Sequence, residues 1–224
     1  MGSITRSLSN NITTGGVILP AGITNSSVSA VTSFANASGG TLILLSTQTA
    51  SNSATISFTT GLDSTYDEYI FKFIDVHPRT DVVNFQFNFS TDSGSNYNVT
   101  KTTTSFSVFH YESDLDATIY YNPSNDLAQS TAFQNLTSYS NINNDADSLV
   151  SGTMTIFNPS STTYVKHFIS TCNSVHIDSP YGNYFLNSYI AGYGNTTSAV
   201  NAIRFQMTSG NFDGIIKLYG VKKS

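Results

Sequence analysis

The closing stretch of the chain constrains the fold most. Ala202-Ile203-Arg204-Phe205-Gln206-Met207-Thr208 alternates apolar and polar residues. Ser209 to Gly214 then supplies turn residues, and Ile215 to Val221 follows as a second short β run. Successive side chains of a strand point to opposite faces, so period-2 alternation is a signal of extended chain. It sends Ile203, Phe205 and Met207 to one face and Arg204 and Gln206 to the other. Two such runs around a Gly/Asn/Asp turn read as a hairpin. The expected fold class is therefore all-β.

The same pattern recurs upstream. Tyr69, Phe71 and Phe73 share one face of the run from Tyr69 to Ile74. Val83, Phe85, Phe87 and Phe89 share one face of the cleanest strand, with Asn84, Gln86 and Asn88 on the other. One buried and one wet face is the habit of antiparallel sheets. A one-residue slip would expose every phenylalanine, so the register is strongly set. Further runs include Leu42–Leu45, Ala54–Phe58, Ser105–Tyr111, Thr118–Tyr121, Leu149–Phe157, Tyr164–Cys172 and Tyr184–Ala191. About ten turn-bounded strands and no helix of ordinary length read as a jelly-roll-like antiparallel β-sandwich.

Composition narrows the function. Charged residues make up 10% of the chain, against about 25% in ordinary domains. Ser, Thr and Asn take their place, residues that favour turns and strand surfaces. The net charge is −5, and Lys222-Lys223 is the longest basic run. Duplex binding needs clustered cations, so nucleic acid is not an expected partner. Cys172 stands alone and cannot close an internal disulfide; it reads as a small buried hydrophobe of a chain folded in a reducing cytoplasm. No apolar run approaches the ~20 residues of a membrane helix, and the opening residues lack the basic-then-apolar pattern of a signal peptide.

No chemical motif stands out. Asn141 to Asp147 gathers oxygen ligands that suit Ca²⁺ but lacks the glycine and closing glutamate of an EF-hand; it reads as a polar loop rich in Asx turns. His77, His110, His167 and His176 have no zinc-ligand spacing and read as strand-end or surface residues. Asp63, Asp67 and Glu68 form one acidic group beside a turn, and Glu112, Asp114 and Asp116 form another. Neither comes with a motif that would make it a glycosidase pair. The expectation is a protein that is not an enzyme, with no catalytic residue, cofactor or metal site. A saccharide surface is the more plausible chemistry. Tyr181, Tyr184, Tyr189 and Tyr193 lie close in sequence, and tyrosine rings can stack on sugars while their hydroxyls hydrogen-bond.

Residues 1–41 differ from the rest. After Arg6 no charged residue occurs until Asp63, and Asn, Gly and Pro interrupt every apolar run. Termini are often poorly ordered, and a flexible tail is one reading; disordered tails are usually charge-rich, so residues 1–41 read rather as an extended arm and 42–224 as the β-sandwich domain.

Phe157-Asn158-Pro159-Ser160-Ser161-Thr162-Thr163-Tyr164-Val165-Lys166 and the stretch from Phe205 to Gly220 resemble β-rich virion proteins of marine tailed phages, cyanophages among them. Asn10-Asn11-Ile12-Thr13-Thr14-Gly15-Gly16-Val17 also resembles arms that open their fibre and appendage proteins. The likeness runs over about residues 54–221 and lies in strand and turn patterns. It implies a structural protein of the capsid or tail, located on the virion, with other virion proteins as partners and assembly into an oligomer. A trimer is favoured, because few charges guard the sheet edges. The alternative is a receptor-binding module for host surface glycans. The arm reading predicts that a chain lacking residues 1–40 keeps its β circular dichroism but fails to enter particles; normal incorporation contradicts it.

Overall fold

In a computed structural model of the chain, residues 41–137, 141–178 and 181–223 are described. Apart from Thr41, the arm lies outside them. Twelve strands run through the described residues. They are β1 (Leu42–Ser53), β2 (Thr55–Phe58), β3 (Glu68–Pro78), β4 (Phe85–Ser90), β5 (Lys101–Tyr111) and β6 (Ala117–Tyr121). Then follow β7 (Gln134–Asn135), β8 (Val150–Phe157), β9 (Lys166–Asp178), β10 (Gly182–Gly194), β11 (Ala202–Met207) and β12 (Phe212–Val221). A single 3₁₀ turn, Pro123–Asn125, is the helical element among the described residues.

The strands form two antiparallel sheets of unequal size. The larger has eight strands in the order β1-β12-β3-β8-β9-β10-β5-β6, and the smaller has four in the order β2-β11-β4-β7. The expected antiparallel sandwich is what forms. The alternating faces read from the sequence are its inner faces: Tyr69, Phe71, Phe73, Phe85, Phe87, Phe89, Ile203, Phe205 and Met207 are all buried.

The terminal hairpin does not form. β11 pairs with β2 and β4 in the small sheet, whereas β12 pairs with β1 and β3 in the large one. The turn between them carries the chain across the sandwich instead of back along the same sheet. Gly210, at φ +72°, makes that turn possible, a conformation that side chains with a Cβ disfavour. Thr208 N–H then bonds Asn84 O, and Arg79 N–H bonds Asn211 O, so both ends of the turn are tied to the connection between β3 and β4.

Phe205 sits at the centre of the core. Its ring lies 5.2 Å from both Phe71 and Phe73 of the large sheet. It lies 5.8 Å from Phe85, 6.3 Å from Phe58 and 6.4 Å from Phe87 in its own sheet. Most of these contacts are edge-to-face or tilted, the arrangement that ring quadrupoles favour.

Asn88 departs from the expected wet face and is fully buried. The residues after β4 fold over this end of the small sheet, and Asn88 Nδ2 donates to Tyr97 O at 2.8 Å and Thr131 O at 2.9 Å. The Tyr97 ring lies under the Arg204 guanidinium at 4.0 Å. Asp92 ties that covering loop through Ser90 Oγ and Asn96 N, and these bonds hold its carboxyl down at about 2.

Phe205→Ala should cost about 3–5 kcal/mol of unfolding free energy, the range for a large ring removed from a packed core. Urea denaturation checks this; a loss below ~1 kcal/mol contradicts the central placement.

Candidate functional site

The large sheet's outer face, which points away from the small sheet, has no covering layer among the described residues: Phe106, Ile119, Tyr121, Ile169 and Phe185 are all exposed on it. Cross-strand register sets what that face displays. Tyr121 of β6 sits opposite Phe106 of β5, Phe106 opposite Tyr189 of β10, and Tyr189 opposite Thr171 of β9. The row continues through Thr153 of β8 to Lys72 of β3. At its β6 end the row is aromatic. Phe106 and Tyr189 stack with centroids 4.8 Å apart and planes at 10°, and Asn187 Nδ2 donates to the Tyr189 hydroxyl at 2.8 Å.

Four residues along β10, Tyr193 pairs with Thr102 and His167, and its ring lies 5.7 Å from the His167 ring. An open groove of about 440 Å³ runs past Thr102, Phe157, His167, Ile169, Ala191 and Tyr193. Its polar rim is Gln129, whose Nε2 donates to Thr102 Oγ1 at 2.7 Å and to the Tyr193 hydroxyl at 3.4 Å. Asn195 Nδ2 in turn donates to Gln129 Oε1 at 2.6 Å.

The four tyrosines singled out by sequence do not form one patch. Tyr189 and Tyr193 share the outer face, and Tyr181 is exposed in the turn before β10. Tyr184 points inward and is only 4% exposed. It stacks on His176 at 5.3 Å and 14° and contacts the Phe109 and Tyr111 rings. The reason is parity: Tyr184 lies an odd number of positions from Tyr189 and Tyr193, so the strand turns it to the other face. Phe106 was missed, although its place in an alternating run was open to the same argument.

β6 is the outer edge of this region. All five of its residues are exposed, Ile119 at 71%, and none is charged or proline. Edges of natural sheets usually carry such protection. The Tyr121 hydroxyl donates to the Asp126 carboxylate, which raises the phenol's pKa.

The remaining candidates are held in local contacts. The loop from Asn141 to Asp147 is stitched down: Val83 and Ile142 bond each other's backbone, Asn144 N–H bonds Asp81 Oδ1 at 2.9 Å, and Asn183 Nδ2 donates to Asp147 Oδ2 at 2.9 Å. Among the described residues no group of three His, Cys, Asp or Glu side chains is placed to hold a metal ion. Asp67 pairs with Lys223 at 2.9 Å, and Asp114 with His110 at 3.0 Å. Cys172 is buried, and burial pushes its thiol up to about 12.

His176 lies near the end of β9, one of the two positions expected for it, but its side chain is buried rather than at the surface. Its Nδ1 lies 2.7 Å from Asn141 O and its Nε2 2.8 Å from Ser174 Oγ. A carbonyl only accepts, so Nδ1 carries the proton and Nε2 accepts from the hydroxyl, which is the neutral imidazole. Burial lowers its pKa to about 4. No family model, curated protein or solved structure matches the chain.

The unfolded chain binds the His176 proton below an ordinary histidine pKa of about 6.5, but the fold resists it down to about 4. Stability from this group is therefore present above that window and falls as pH drops through it, by up to ~3 kcal/mol. Unfolding midpoints measured between pH 4 and 6.5 should rise with pH in the native chain and rise less in His176→Gln. Equal slopes contradict the assignment.

Proposed function

We propose that this chain is a non-enzymatic structural module of a virus particle, a β-sandwich displayed outward and attached through its N-terminal residues. The observation that carries the reading is the uncovered outer face of the large sheet. It ends in an unguarded strand and displays Phe106, Ile119, Tyr121 and Phe185. Contiguous exposed apolar surface marks an interaction site, and an unprotected sheet edge is a template for another chain. Both needs are met by closed assembly with copies of the same chain, a trimer in this reading. The likeness of the strand and turn patterns to phage appendage proteins supports the particle. The work is done by buried area, with no reacting group required.

A second reading is favoured by the Tyr193–His167 groove and the Phe106–Tyr189 stack. Flat rings beside amide side chains suit a saccharide, whose apolar face packs on the ring while its hydroxyls bond Gln129 and Asn195.

Light scattering on the purified full-length chain tests the first reading. A trimer that shifts toward monomer in Ile119→Lys, with unchanged circular dichroism, is expected. A monomer at every concentration overturns it. A glycan array tests the second: binding should be lost in Tyr189→Ala and Tyr193→Ala, and no binding by the native chain contradicts it.

A further inference from the structure

Two lysines are buried side by side in register. Lys101 at the start of β5 and Lys166 at the start of β9 each sit opposite Gly194 of β10, and both are 0% exposed. A Cβ at Gly194 would lie 3.1 Å from Val99 Cγ1 and 3.5 Å from the Phe89 ring, so a larger residue there would press on Val99. Neither lysine forms an ion pair among the described residues. A buried ammonium without a counter-charge is costly, and such a lysine relieves the cost by losing its proton.

Their surroundings differ at one point. Lys166 Nζ donates only to backbone carbonyls, those of Tyr164 and Thr196. Lys101 Nζ donates to Val99 O at 2.9 Å and to Oδ1 of the buried Asn88 side chain at 2.5 Å. Asn88 is held by its whole amide. Its Oδ1 also accepts Phe89 N–H at 2.8 Å, and its Nδ2 is bonded by the Tyr97 and Thr131 carbonyls. The orientation of the amide is thereby fixed.

We propose that Lys101 and Asn88 join in an intramolecular isopeptide bond that locks β4 of the small sheet to β5 of the large one. Neutral Lys101 Nζ attacks Asn88 Cγ. The charge developing on Oδ1 falls on the Phe89 N–H, a preorganised donor. Nζ passes one proton to Nδ2, the Cγ–Nδ2 bond breaks and ammonia leaves. One C–N bond forms and one breaks, with nothing oxidised or reduced. The nucleophile is the free amine, and burial alone brings the Lys101 pKa to about 7; desolvation is an established way to activate a lysine. The hydrogen bond from Lys101 Nζ to Asn88 Oδ1 holds the amine beside the amide and supplies the proximity that an intermolecular reaction lacks. This inference stands apart from the proposed particle role, although a cross-link between the sheets suits a module under mechanical load.

The test is the intact mass of the native full-length chain under denaturing conditions, followed by peptide mapping. The expected mass is that of the sequence less one ammonia, with a branched peptide joining Asn88 to Lys101. Lys166 stays free, because it faces no side-chain amide. Lys101→Arg should return to the full sequence mass. Should that variant not fold, the native mass and the mapped linkage decide alone. A native chain at full mass overturns the proposal. So does ammonia loss mapped to a succinimide at another asparagine, or Lys101 labelled by an amine reagent after unfolding.

Discussion

The fold depends on rings from two sheets meeting at one residue. Phe205 belongs to a short central strand of the small sheet, yet its ring is flanked by Phe71 and Phe73 across the sandwich and by Phe58, Phe85 and Phe87 beside it. Large rings bring much apolar area per residue. That concentration lets a chain poor in charge and rich in Ser, Thr and Asn still assemble a dry centre. The polar alternates then fall on the outer faces, where they need no partner beyond water and neighbouring strands.

From that core the unequal sheets follow, and from them the functional reading. Connecting segments close the small sheet's outer side, as Tyr97 and Thr131 do over Asn88. The large sheet's outer side has no such cover among the described residues. Its register lines up Tyr121, Phe106 and Tyr189, and its β6 edge lacks charge. In a lone molecule this surface is a liability; in an assembly it is an interface. The same covering segments that bury Asn88 also enclose Lys101, so the feature that seals the small sheet also brings the Lys101 amine onto the Asn88 amide.

Much of the inner architecture was legible in the sequence, because burial follows period 2. The faces of Tyr69–Phe73, Phe85–Phe89 and Ile203–Met207 came directly from alternation. Pairing was not legible. The turn at Ser209–Gly214 signals a change of direction, but a local signal cannot say whether the next strand joins the same sheet or the opposite one. Parity would have separated Tyr184 from Tyr189 and Tyr193, whereas closeness in sequence grouped them. Alternation puts Asn88 on a wet face, and polarity alone gives no sign that Lys101, Lys166 or His176 is buried. Their partners come from loops as well as from more distant segments, such as Thr131 on Asn88 and Asn141 on His176, and alternation along a strand does not encode such cover.

The central claim is that the exposed face and edge around β6 are an interface between copies of this chain. Hydrogen–deuterium exchange on the full-length protein at low and high concentration tests it most directly. Free edge amides exchange quickly, and paired ones are protected. The account predicts that peptides covering Ala117–Tyr121 slow markedly as concentration rises, while those of the buried β3 and β11 strands stay unchanged. Fast exchange across β6 at every concentration would contradict it.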